Sequence, residues 1–517
     1  MTTIAQLVDR AATWYGESIA VDDGSRRLTF RQVGERSSRL ANALRAFGDQ
    51  SGARVALLMP NRTESVEVDF GIAKAGKVRV PINPRLTDLE REYLLANSGS
   101  ETLIFDAQFE PFAVSVRDRL PELRNLVIVG GVSELAHAYE DLLAAASPTL
   151  GDIEYALDAP NFILYTSGTT GRPKGATATN RSRLAATMNM LIDEIDAVPG
   201  DAMIHAGSMA HGSGSKVLAY FYRGARNLPM AKFEPDRFLH LVAHDRATAT
   251  FVVPTMISML FEEAQGTTAD TSSLKTVSYG GAPIAADKLA EALEHFGNVF
   301  VQVYGSCEAP HPVTVLRKSD HLVSASGANH FASIGREAAG VELRVVGQDG
   351  DDQPPGERGE MWVRGQNVMS GYWGDPTATS EVLHDGWYKT GDIITKDDDG
   401  YYCVVDRARD MIITGGLNVY PAEVEAALYK HPGIAEVAVI GIPDEHWGET
   451  VKAFVVLKPG FDVNANDLLA HAKSLLAAYK KPTSIDFVKS LPKGSTGKIL
   501  KRELKAPFWA GSARGVH

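Results

Sequence analysis

Cysteine is scarce in this chain: Cys307 and Cys403 are the only two among 517 residues. Two cysteines build neither a disulfide framework nor a Cys-rich metal site, and so few suit a reducing compartment. Positive charge is short as well. Lys and Arg number 52 against 64 Asp and Glu, a formal charge of −12, which argues against a general nucleic-acid binder. An anionic substrate then needs a local basic pocket. No apolar run reaches about 18 residues, so no membrane-spanning helix is expected. The opening "MTTIAQLVDRAATWYG" lacks the basic-then-apolar order of a signal peptide, and a cytoplasmic location is expected. Internal repeats and long low-complexity tracts are missing too, which excludes solenoids and disordered arrays.

What is present reads as an ordinary globular composition, 44% hydrophobic and 22% charged. The length predicts two or more domains. Ile4, Leu7, Val8, Ala11 and Trp14 mark one face of an N-terminal amphipathic helix that packs on the protein body. Apolar runs at 54–60, 77–83, 102–107, 125–131 and 248–254 read as buried strands, with a helical pattern from Ser65 to Ala75 between the first two. That alternation predicts an α/β fold on largely parallel sheets. From about Ser333 to Asp406, short strands broken by Gly, Pro and Asp turns suggest an antiparallel, barrel-like piece. Beyond "DRARDMIITGG" (406–416) the pattern is a small α+β domain: a helix at Pro421–Lys430, strands in "AEVAVIGI" and "VKAFVVL", and a helix at 466–476.

The stretch "NFILYTSGTTGRPKG" feeds an apolar run into a loop rich in Gly, Ser and Thr. Glycines let backbone N–H groups converge on one point, hydroxyls add donors and Lys174 adds charge, which together suit a polyphosphate. The Walker template fails, because Arg172 and Pro173 separate Gly171 from Lys174.

This loop resembles the phosphate loop of the adenylate-forming superfamily: acyl-CoA and aryl-CoA synthetases, peptide-synthetase adenylation domains and beetle luciferases. Further motifs follow in that family's order: "SMAHGSG" (208–214), "SYGGAPI" (278–284), "YGSCE" (304–308), "YKTGD" (388–392), "VVDR" (404–407) and "LPKGSTGK" ending at Lys498. The resemblance covers essentially the whole chain and is closest to a stand-alone acyl-CoA synthetase. It implies a large N-terminal domain, 1–408, of two α/β sheet subdomains plus a small β-barrel subdomain. A small mobile α+β C-terminal domain, 409–517, would turn about a hinge at Arg409.

Site roles follow from the same resemblance. Thr166, Ser167, Gly168, Thr169, Thr170, Gly171 and Lys174 would grip the β- and γ-phosphates of ATP. Gly281, Ala282 and Pro283 would lie near adenine, with Tyr304 stacked on it and Gly305 beside it. Glu308 would hold Mg²⁺, since a hard cation bridging phosphates takes carboxylate oxygen. Cys307 stands where a Thr hydroxyl usually contacts the adenylate, and a thiol is a weaker donor. Asp392 would bind the ribose hydroxyls, assisted by Arg407. Lys498, Glu308 and Thr166 form the catalytic set, with Lys498 opposing charge at the α-phosphate. Gly415 and Gly416 would let the pantetheine arm of coenzyme A pass.

The activity implied is ATP-dependent acid–CoA ligation through an acyl-adenylate, with domain rotation between the half-reactions. The acid pocket is expected from His211, Ser213, Val217, Tyr279, Gly280 and Gln302. Small residues there fit an apolar acid: fatty, aryl, steroid or terpenoid. Loading of a separate carrier protein stays open, since only 19 residues follow Lys498 and no carrier domain fits in them. A luciferase-like oxygenase and an inactive binding protein are the remaining alternatives. A homodimer is common in the family resembled.

Overall fold

The structure is a computed structural model; it describes residues 2–48, 51–151, 155–166, 173–282, 284–322, 329–407, 410–414, 417–444, 447–494 and 498–509. These residues fall into two compact units. The first holds 1–166, 173–342 and 363–388, and the second is built from 343–362 and 389–517.

Two large sheets dominate the first unit. One has eight strands, in the order 371–372, 174–179, 160–166, 78–81, 54–58, 102–106, 125–129 and 137–138. From 160–166 onward its neighbours run parallel, whereas 174–179 returns antiparallel beside 160–166. The other has nine strands, and its central run 300–304, 276–280, 249–252, 202–205, 226–229 and 19–22 is parallel throughout. The strands expected at 54–60, 77–83, 102–107, 125–131 and 248–254 all form, shorter by one to three residues at their ends. Such strands are covered on both faces, which is why they read as continuous apolar runs.

Helix starts are written locally. Thr3, Thr29, Thr87 and Thr179 each cap a helix, accepting from the backbone N–H three residues on. An Ala in their place would leave that donor unmet, at about 1 kcal/mol each. The helix expected at Ser65–Ala75 spans Thr63–Lys74 and is buried along its whole length. Its charged residues are therefore paired: Glu67 with Arg36, Asp69 with Arg79 and Arg183, Lys74 with Asp9. The N-terminal helix, Ile4–Tyr15, buries Ile4, Leu7, Val8 and Ala11 as expected. Trp14 does not join that face. It is 57% exposed, with its ring at the margin against Tyr222, 5.7 Å between centroids.

The barrel-like piece expected near 333–406 is a five-stranded sheet of 341–346, 358–365, 387–396 and 383–384, with 402–407 antiparallel to 387–396. In the second unit, strands 417–419, 412–414, 448–457, 434–444 and 484–487 make a separate sheet. Helices Pro421–Tyr429 and Ala465–Leu475 pack on it around Val424, Leu428, Val439 and Leu468. Among the described residues no helix is long and apolar enough to cross a membrane.

Candidate active site

In open parallel sheets, ligands bind beyond the carboxyl ends of the strands, and the first unit's predicted residues cluster there. Thr166 ends strand 160–166, Gly280 ends 276–280 and Tyr304 ends 300–304. Strands 276–280 and 300–304 are parallel neighbours, with Gly280 opposite Val303. The loops that carry Gly281–Ala282 and Gly305–Glu308 thus leave side by side. Gly305 has a steric reason to be glycine: a Cβ there would lie 2.7 Å from the backbone N and Cα of His311. The Glu308 turn is closed by Ser306 N–H donating to Ala309 O at 2.9 Å and by Ala309 N–H donating to Ser306 Oγ at 3.0 Å. Cys307 is half-buried and in no disulfide.

A segment the sequence reading passed over ties the two sheets together. Met369 N–H donates to Glu308 O at 2.7 Å, Ser370 N–H to Thr177 O at 2.8 Å, and Trp373 N–H to Gly175 O at 2.7 Å. Between them, Tyr372 pairs with Ala176 in the first sheet. Its hydroxyl donates to Glu308 Oε1 at 2.9 Å, and Lys174 Nζ sits 5.3 Å from the centre of its ring. One tyrosine therefore places the loop lysine and the candidate metal carboxylate within a side chain's length of each other. Glu308 is buried. One oriented carboxylate near the loop lysine fits Mg²⁺, which takes few protein ligands and completes its shell with substrate phosphates and water.

The acid-pocket candidates do not share one wall. Tyr279 lies opposite Gln302 across the strands, and both face the apolar layer that holds Val252, Val277 and Phe300. The Tyr279 hydroxyl hydrogen-bonds His321 Nε2 at 3.0 Å. Side chains alternate along a strand, so Gly280 belongs to the opposite face, with Ser278. Ser213 is buried with its Oγ 2.9 Å from Nδ1 of His205, whose Nε2 donates to Asn227 Oδ1 at 2.8 Å. Burial, against the pull of the hydrogen bonds to Asn227 and to the Ser213 carbonyl, lowers the His205 pKa to about 4, so the ring is neutral. Val217 is packed in the core with Met209, Leu218 and Phe221. His211 is half-buried, its pKa lowered by burial and by nearby Arg79. Asn61, unremarked in the sequence, holds this loop: its Nδ2 donates to His205 O and Gly207 O at 2.9 and 2.7 Å, and its Oδ1 accepts from Met209 N–H at 2.8 Å.

In the second unit Asp392 is buried and stands opposite Arg407 in the antiparallel pair of strands 387–396 and 402–407. Thr390 Oγ1 donates to Met361 O at 2.8 Å and accepts from Asp392 N–H at 3.0 Å, fixing the turn. Lys498 is exposed; Gly494 N–H donates to Lys498 O at 2.8 Å, and Lys493 bridges Ile499. Ser167, Gly168, Thr169, Thr170, Gly171, Pro283, Arg409, Gly415 and Gly416 lie outside the described residues, as does the Arg407 side chain.

Comparison with known proteins agrees with this geometry. Residues 8–373 match the AMP-binding enzyme family, and residues 423–498 match the AMP-binding enzyme C-terminal domain. A feruloyl-CoA synthase from Amycolatopsis sp is 40% identical over 501 residues, covering 96% of this chain and 98% of that protein. A fatty acid–[acyl-carrier-protein] ligase, ScoC, from Streptomyces coeruleorubidus is 37% identical, covering 95% and 94%. Among solved structures, an anthranilate CoA ligase, AuaEII, in complex with anthranoyl-AMP superposes with a TM-score of 0.88 at 27% identity, covering 99% and 98%. The chain belongs to the AMP-binding enzyme family, the adenylate-forming superfamily.

Proposed function

We propose that the chain activates an apolar carboxylic acid with ATP and passes the acyl group to the thiol of coenzyme A. It is an AMP-forming acid–CoA ligase, and ATP, Mg²⁺ and CoA are its co-substrates and metal. The observation that carries the residue assignment is the convergence of Lys174, Tyr372 and Glu308, from three distant segments, at the carboxyl ends of both sheets.

In the first half-reaction a carboxylate oxygen attacks the α-phosphorus. The new C–O–P linkage forms, the bond to the bridging oxygen breaks, and pyrophosphate leaves. Lys174 and the loop from Thr166 hold the departing phosphates, and Lys498 offsets charge at the α-phosphate. Mg²⁺ held by Glu308 supplies further charge neutralisation when bound. Tyr304, Gly281 and Ala282 position adenine, and Asp392 with Arg407 the ribose. In the second half-reaction the thiolate sulfur attacks the acyl carbon, and the C–O bond to AMP breaks. Residues 1–408 and 409–517 are the functional divisions of this reading, with the hinge at Arg409 and Gly415–Gly416 serving the thiol.

Similarity to ScoC favours one second reading, transfer to a carrier protein. Incubating the enzyme with ATP, Mg²⁺ and a panel of aryl, alkyl and polycyclic acids separates the two. Thioester on added CoA is expected; pyrophosphate exchange with thioester only on a carrier protein would assign the second reading, and no exchange with any acid would refute both.

A further inference from the structure

Helix Pro235–Ala243 leads into the second of two histidines set four residues apart in "HLVAH" (240–244), and none of the roles above uses them. Helical hydrogen bonding reaches both, since His244 N–H donates to His240 O at 2.9 Å. Residues four apart on a helix stand one above the other, and here the imidazole centres are 4.3 Å apart. Phe238, Leu239 and Val242 take the buried side of the helix, which leaves both histidines exposed. Among the described residues nothing hydrogen-bonds to their four ring nitrogens. His431 and His471 make a useful contrast. Their rings are 5.3 Å apart, but Nδ1 of the first accepts from Gly433 N–H and Nε2 of the second donates to Ala427 O, both at 3.2 Å.

The local field favours a cation between these rings. His244 is the C-cap residue, so the pair occupies the C-terminal end of the helix, where unpaired carbonyls carry partial negative charge. Asp236 lies one turn back on the same face, exposed and in no ion pair among the described residues. Arg237 is the one fixed cation of the helix, and it is turned to Asp23, donating to the carbonyl oxygen at 3.2 Å. Two unengaged nitrogen donors therefore stand together at the negative end of a helix.

We propose that His240 and His244 chelate one divalent ion of the class that prefers imidazole, Zn²⁺, Ni²⁺ or Cu²⁺. Two nitrogens bound to one ion at about 2.0–2.1 Å stand roughly 3 Å apart. Rotation of these two exposed rings brings one nitrogen of each to that spacing. Among the described residues no third His, Cys, Asp or Glu joins the pair, so water fills the remaining positions. The same spacing occurs on the helix of zinc proteases, but Leu241 stands where those carry the general-base Glu, so this site binds an ion without a hydrolytic role. The bound ion ties residue 240 to residue 244 across the last turn. It thereby fixes the end of a helix whose Phe238, Leu239 and Val242 share a core with Tyr279. The chemistry differs from that at Glu308, because Mg²⁺ is a hard ion that takes oxygen ligands.

The test titrates Ni²⁺ alone into the intact chain by calorimetry, without nucleotide, beside His240→Ala and His244→Ala. Wild type should show one site that each variant binds at least ten- to a hundredfold more weakly, roughly the loss that removing even an outer partner of a metal site brings. The chain has 14 histidines, so weaker sites elsewhere appear equally in all three proteins and cancel. Ni²⁺ should also raise the melting temperature of wild type, since an ion that binds the folded chain stabilises it. That rise should be absent from both variants, and Mg²⁺ at the same concentration should not separate the three proteins. Both side chains are exposed, so the variants should fold and keep pyrophosphate exchange within twofold of wild type in the absence of Ni²⁺. Identical Ni²⁺ titrations in the three proteins, or a melting shift that persists in the variants, overturns the proposal and leaves the ligase reading intact. Failure of the ligase reading would leave this site untouched, because no acid or nucleotide enters the measurement.

Discussion

Tyr372→Phe removes one oxygen from the centre of the first unit and nothing else. The lost group donates to Glu308 Oε1 at 2.9 Å, while the ring beneath Lys174, 5.3 Å from the ammonium, stays. A hydrogen bond to a charged group contributes about 1.5–3 kcal/mol. The Tyr372 side is half-buried, so water partly replaces the hydroxyl and the lower end applies. That predicts a fall of about tenfold in kcat/KM for acid adenylation. Tyr372→Leu also removes the cation–π contact, worth about 0.5–1 kcal/mol at a site of this exposure, and should lose a further two- to fivefold. Pyrophosphate exchange measured across a Mg²⁺ titration is the assay. If the hydroxyl orients Glu308 for the metal, the Phe deficit shrinks as Mg²⁺ saturates. A Phe variant within twofold of wild type at low Mg²⁺ would refute the argument, and a deficit constant across the titration would move the role of Tyr372 away from the metal.

Asn61→Ala strips three hydrogen bonds from the loop at 205–209; the KM for the acid should rise about tenfold while that for ATP stays within twofold, and a parallel rise in both would contradict the assignment. His205 is held neutral, with a folded pKa of about 4 against about 6.5 unfolded. Its stabilising contribution is therefore complete above pH 6.5 and drains away as the pH falls toward 4, because the unfolded chain binds the proton first. Urea midpoints should register a loss of about 2 kcal/mol from this residue between pH 7.5 and 5, and His205→Asn should flatten that slope; an unchanged slope would place the titration elsewhere. Gly305→Ala would force its Cβ against the His311 backbone, a cost of about 1–3 kcal/mol, and should weaken ATP binding tenfold or more in a direct binding measurement, whereas wild-type ATP affinity would refute the steric reading.

Much of the scaffold was legible because burial writes itself into composition. "RVALL", "TLIFD" and "NLVIV" are continuous apolar runs, and each is a strand covered on both faces. The same property hid the pocket. In a strand apolar on both sides, nothing in "TVSYG" says which face Tyr279 takes, and the structure puts it in the core and Gly280 opposite. Trp14 followed the helical period but fell at the helix end, where the body no longer covers it. Asp392 and Arg407 were readable because "YKTGD" and "VVDR" match family motifs, and strand pairing sets the two residues opposite each other. Tyr372 and Asn61 were not, since each acts through a partner more than sixty residues away. Lys216 did leave a trace: a lysine entering the apolar run "VLAYFY" implies a buried counter-charge, and Glu194 supplies it.

The central claim is that one chain runs two half-reactions and that Lys498 serves only the first. Lys498→Ala measures it directly, scored once for acyl-adenylate formation from acid and ATP and once for thioester formation from supplied acyl-adenylate and CoA. Adenylation should fall by at least a hundredfold, the scale of losing a charge-stabilising group at a reacting phosphate, with thioester formation within threefold of wild type. Equal loss of both steps, or retention of both, would contradict the account.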